Sequence, residues 1–113
     1  MAKPYPYISV PPPSNVESMV SLRVDNLPYT YSVHGKDVDT SLAYLRTYMR
    51  SIFVKYGDIG DIHLPTYKCG RFRGYAFVRY YNKRDAENAI NGLYGRKIGG
   101  RELVIKIDNG LTL

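Results

Sequence analysis

The chain has 113 residues, enough for one compact domain, with 44% hydrophobic and 23% charged residues and a formal net charge of +6. No apolar run is long enough to span a membrane and no signal-peptide hydrophobic region follows Met1, so a soluble intracellular protein is expected. The lone cysteine, Cys69, excludes an internal disulfide. With no second Cys or nearby His it also lacks the partners for a metal site, and no cofactor is expected.

Residues 1–20 hold Pro4, Pro6, Pro11, Pro12 and Pro13 with few large aliphatics, and read as a disordered Pro-rich arm. The folded domain is expected over 21–109, with 110–113 as a C-terminal end. Leu22 to Leu27 alternates apolar and polar residues before Pro28, as a short strand does. Tyr29 to Asp37 has no clear period and reads as a loop. From about Thr40 to Tyr56, Leu42, Leu45, Met49, Ile52, Phe53 and Tyr56 share one helical stripe. Asp39 or Thr40 is the expected cap, and Gly57 the left-handed residue that ends the helix. A second strand is expected at Ile59 to Leu64 and, after the basic loop Thr66 to Phe72, a third at Gly74 to Tyr80. Asn82 caps a second helix with Ala86, Ala89, Ile90 and Leu93 on its apolar face and Gly92 at its end. Gly95, Gly99 and Gly100 mark a hairpin, and Leu103, Ile105 and Ile107 alternate along a last strand.

The order β-α-β-β-α-β is a ferredoxin-like α+β plan: a four-stranded antiparallel sheet with both helices on one face. The other face is left uncovered, and parity decides what stands there. On the third strand Arg73, Tyr75, Phe77 and Arg79 share one side, and Ala76, Val78 and Tyr80 the other. Sending the rings inward would bury two unpaired guanidinium groups at roughly several kcal/mol each. Tyr75 and Phe77 are therefore expected to face solvent, exposed. The same argument turns Arg23, Asp25, Asp61, His63, Val104 and Lys106 outward.

The positive charge is concentrated too. No acidic residue lies between Asp61 and Asp85, where Lys68, Arg71, Arg73, Arg79, Lys83 and Arg84 fall, and the other Lys and Arg balance the 10 acidic residues of the chain. Exposed aromatics among cations suit single-stranded nucleic acid, whose bases stack on rings and whose phosphates meet the cations.

The residues that carry this pattern resemble a known family. Arg73-Gly74-Tyr75-Ala76-Phe77-Val78-Arg79-Tyr80 looks like the RNP1 motif of RNA recognition motif (RRM) domains at every specified position, and Leu22 to Leu27 looks like RNP2. Arg23 stands where RNP2 usually has an aromatic. A basic residue followed by Val-Asp-Asn-Leu is similar to the RRM of serine/arginine-rich (SR) splicing factors, as are Lys83-Arg84-Asp85-Ala86-Glu87 and Gly100-Arg101-Glu102-Leu103. Two features depart from that subgroup: the link Tyr29 to Thr40 is long, and no Arg-Ser repeats occur by Leu113.

The resemblance implies a non-enzymatic, nuclear and also cytoplasmic, monomeric domain that binds single-stranded pre-mRNA or mRNA. It implies no membrane partner, and contacts with spliceosomal proteins through regions outside this chain. Tyr75 and Phe77 would stack bases, with His63 as a third platform. Arg23, Arg73, Arg79 and Lys106 would meet phosphates or base edges, Asp25 would complete the set on the first strand, and Lys68 and Arg71 would close over the RNA from the loop. An RRM used as a protein-protein interaction module remains an alternative. A small phosphatase on the same plan has only the basic loop in its favour, because His34 and His63 lack an identifiable acid partner or nucleophile.

Overall fold

The computed structural model describes residues 19–28 and 38–108, and within the first helix the side chains from Leu42 onward. Residues 1–18 of the Pro-rich arm, His34, most of the long link and residues 109–113 lie outside the described residues, whereas Met19 and Val20, expected in the arm, belong to the fold: Met19 is buried and Val20 opens the first strand as the partner of Tyr80. The elements are β1 (Val20–Asp25), α1 (Val38–Phe53), β2 (Ile59–His63), β3 (Ala76–Tyr80), α2 (Lys83–Leu93), β4 (Lys97–Ile98), β5 (Arg101–Glu102) and β6 (Val104–Ile107). The main sheet has the order β2-β3-β1-β6 with every neighbouring pair antiparallel, and β4 and β5 form a separate hairpin. This is the ferredoxin-like α+β plan expected from the sequence.

Alternation builds the sheet's inner face. Leu22, Val24, Ile62, Ala76, Val78, Tyr80 and Ile105 are buried in one cluster with Leu42, Leu45, Met49, Ile52 and Phe53 of α1. Spacings of three and four residues set those α1 side chains on one stripe. On α2 the buried residues are Ala86, Ala89 and Leu93, and the two alanines let that helix lie close to the strands. Its start is capped by Asn82, whose side chain accepts from the Arg84 N–H at 2.8 Å, while Asp85 lies in the first turn.

Several boundaries differ from the sequence-based expectation. Asp39 and Thr40 are already helical, because α1 starts at Val38, and Val54–Tyr56 closes it as a 3-10 turn. Gly57 has φ 155° and ψ 178°, an extended conformation that glycine alone adopts readily and not the left-handed helical one. A Cβ there would stand 2.1 Å from a carboxylate oxygen of Asp85. Gly92 does not end α2; it makes room for Tyr56, whose hydroxyl would lie 2.1 Å from an added Cβ. The third strand starts two residues late, because Gly74 takes φ 92°. Its carbonyl accepts the Leu27 N–H at 2.9 Å just beyond the end of β1.

The fully buried Tyr80 ties the sheet to the end of α1 by donating its hydroxyl to the Phe53 carbonyl. Burial raises the pKa of that phenol, with the Asp85 charge adding to the effect. Removing the hydroxyl would leave a helix-terminal carbonyl without its partner, at about 1–2 kcal/mol. Tyr80→Phe should therefore lower the melting temperature by at least about 4 °C, measured by circular dichroism.

Candidate nucleic-acid interface

Cross-strand register arranges the outer face of the sheet. His63 pairs with Phe77, Phe77 with Arg23, and Arg23 with Lys106, so one row crosses all four strands. Next to it, Asp61 pairs with Arg79, and Arg79 with Ser21. On the other side Asp25 lies opposite Val104, close to where Tyr75 leads into β3.

Phe77 occupies the middle of this surface. It belongs to no part of the core cluster under the helices, as parity requires. Its ring centroid is 6.3 Å from that of His63, nearly parallel at 15°, and 5.6 Å from that of Tyr75 in an edge-on pair at 85°. The Arg23 and Arg79 guanidinium carbons lie 5.9 and 5.8 Å from it.

The expected exposure of these side chains is not what the structure shows. Phe77 retains 1% of its surface and Arg79 5%, while Tyr75 is half-buried. Parity chooses the face a side chain points to, but its neighbours on that face decide how much water reaches it. Arg79 is not an unpaired buried cation, because its guanidinium donates to the Asp61 carboxylate across the strand pair.

Arg23 is held in a similar way. Its Nε donates to both Asp25 carboxylate oxygens at 3.0 and 3.1 Å, and its guanidinium lies 4.1 Å from the centroid of the Tyr75 ring. The position where RNP2 usually carries an aromatic thus holds a planar cation stacked on a ring of RNP1. Lys106 is exposed, directly across from Arg23. Because the Asp25 carboxylate already compensates Arg23, Lys106 is the cation of this pairing that stands open to solvent.

Lys68, Arg71 and Arg73 are exposed but lie off the sheet, on the β2–β3 connection. Arg73 donates from Nε to the Thr66 carbonyl at 3.2 Å and stacks 4.8 Å from the centroid of Tyr67. Tyr67, half exposed, lies outside the residues that strand parity selects. Its signal was an aromatic inside a basic loop, next to Lys68. Strand parity turns Asp61 outward without giving it a task, and the structure shows it as the partner of Arg79. Asn26, with φ 70°, anchors the turn after β1, accepting from Arg101 at 2.6 Å and donating to the Glu102 carbonyl at 2.9 Å.

His63 has its pKa lowered, first by burial and then by the Arg79 charge, so its neutral form is favoured when folded. The unfolded chain, with an ordinary histidine near 6.5, takes up the proton first. The stabilisation from this site is complete above pH 6.5 and is lost as pH falls through that value toward the folded pKa. His63→Gln should flatten that part of the stability profile, read by urea denaturation at a series of pH values above the carboxylate range.

Comparison with known proteins agrees with this geometry. The RNA recognition motif family profile matches residues 46–104, from within α1 to the start of β6, leaving β1 outside the matched stretch. Serine/arginine-rich splicing factor 2 of Gallus gallus is 41% identical over 97 residues, which is 85% of this chain and 38% of that protein. A Caenorhabditis elegans protein described as a probable arginine/serine-rich splicing factor is 35% identical over 94 residues, 82% of this chain and 41% of that one. The chain thus spans less than half the length of these relatives. Among solved structures, the second RRM domain of a yeast poly(U)-binding protein superposes with a TM-score of 0.59 at 25% identity, covering 83% of this chain and 99% of that one. The chain belongs to the RNA recognition motif family.

Proposed function

We propose that this domain binds short single-stranded RNA across the outer face of its sheet, as part of an SR-type splicing factor acting on pre-mRNA in the nucleus. The observation that carries the reading is the row His63, Phe77, Arg23 and Lys106, in which two rings on β2 and β3 are followed by two cations on β1 and β6. Unpaired bases stack on such rings for about 1–3 kcal/mol each, and the cations neutralise phosphates between them. The SR-type relatives motivate the place in splicing, and contacts with spliceosomal proteins are assigned to regions outside this chain.

Tyr75 is the ring that RNA meets first, because Phe77 lies beneath its neighbours. The Arg23 guanidinium already covers Tyr75, restrained by Asp25. A base stacks either on that guanidinium plane or on the ring once the cation has turned to a phosphate. Phe77 supports the stack from below, and His63, neutral at pH 7, adds an uncharged platform at the β2 edge. A phosphate beside this stack meets the exposed Lys106 ammonium.

The test is fluorescence anisotropy with unstructured oligoribonucleotides. Tyr75→Ala and Phe77→Leu, the latter keeping most of the buried volume, should each weaken binding about fivefold or more with the melting curve preserved. Losses below about threefold in both would overturn the stacking role, and a partner protein that competes for the same face without RNA binding would favour the protein-interaction reading. For Lys106→Ala, the slope of log K against log salt should fall by about 0.7, the contribution of one phosphate in a single strand.

A further inference from the structure

The outward surface does not stop where the four-stranded sheet ends. Beyond β2 and β3 the chain continues as a narrow antiparallel hairpin. Thr66 bridges Phe72, the Arg73 N–H donates to the Pro65 carbonyl at 3.1 Å, and the Tyr67 N–H donates to the Arg71 carbonyl at 2.8 Å. The turn is closed by the Gly70 N–H on the Tyr67 carbonyl at 2.9 Å, with Gly70 at φ 95°. Leu64 and Phe72 point into the core and Thr66 is also buried. Alternation therefore sends Tyr67, Arg71 and Arg73 away from the core, the direction taken by His63, Tyr75 and Phe77.

At that place Tyr67 keeps 50% of its surface exposed. The Arg73 guanidinium lies over the ring at 4.8 Å and is itself anchored on the Thr66 carbonyl. A lone exposed tyrosine needs no explanation. A ring backed by a fixed guanidinium, on a hydrogen-bonded hairpin and flanked by the exposed Lys68 and Arg71, is a preorganised stacking surface with cations beside it. Arg73 precedes Tyr75 by two residues, so the two backbones lie at most about 7 Å apart, the full reach of that length of chain. The subsite adjoins the sheet surface.

We propose that Tyr67, backed by Arg73, is an additional base-stacking subsite for a nucleotide adjoining the stretch held on the sheet, with Arg71 and Lys68 on its phosphates. Since every base offers a flat face, the subsite accepts any unpaired base and adds length to the footprint without adding sequence preference. This rests on RNA binding at the sheet and extends it.

The test compares two oligoribonucleotides, one of about four nucleotides that fills the sheet and one of about eight, against the full 113-residue chain. Tyr67→Ala and Tyr67→Leu should each weaken the longer RNA about fivefold or more and leave the shorter unchanged, while Tyr67→Phe binds both as the parent does. The salt dependence should stay the same in all three, because no charge is removed. Melting curves confirm that the variants fold. Equal binding of the longer RNA by Tyr67→Ala, with Tyr75→Ala weakened, overturns the subsite and leaves the sheet reading intact. Equal loss on both lengths also overturns it, since the ring would then support the sheet. If the parent chain binds neither RNA, both readings fall.

Discussion

The Phe77 ring is the point around which the outer face is organised, and pairing sets it between His63 of β2 and Arg23 of β1. That register is decided on the other side of the sheet. Leu22 and Ile62 both pair with Val78, and Leu22 also pairs with Ile107, so the apolar inner face locks the strands together. A slip of one residue would turn those side chains into water and carry the rings and guanidinium groups inward, at a cost no small domain sustains. Core packing and the composition of the outer face are thus one constraint seen from two sides.

Charge on that surface is divided between two tasks. Arg23 and Arg79 each have a carboxylate partner on the same face, Asp25 and Asp61, which fixes their planes against the rings. Partly buried ion pairs of this kind contribute modestly to stability, because desolvation offsets much of the attraction. Their geometric effect is larger, since they stop a long side chain from sampling other rotamers. Lys106, Lys68 and Arg71, exposed and without a carboxylate partner among the described residues, supply the field that an RNA backbone meets.

Two junctions keep this surface in shape. At one end the left-handed Asn26, held by Arg101 and Glu102, ties the exit of β1 to the β4–β5 hairpin. That hairpin turns through Gly99 and Gly100, both at positive φ as a two-residue turn of this hand demands. At the other end Tyr80 fastens β3 to the last carbonyls of α1. The β2–β3 hairpin grows out of this braced sheet, which is why a loop tyrosine such as Tyr67 can have a defined partner.

The order of elements, the inner face and the side to which each strand residue turns are legible from residue order alone, because they follow from periodicity and the cost of burying charge. The RNP1 octapeptide from Arg73 to Tyr80 also made the family legible. How open the rings are, that Arg79 is sheltered by Asp61, that Arg23 lies on Tyr75 and that Arg73 lies over Tyr67 emerge once the strands and loops meet in the fold. Gly92 shows the same limit: a glycine near a helix end reads as a terminator, and only the approach of Tyr56 from another element reveals its purpose. Direction along a strand is a local property of the backbone, whereas exposure and pairing depend on side chains that arrive from strands and loops distant in the chain.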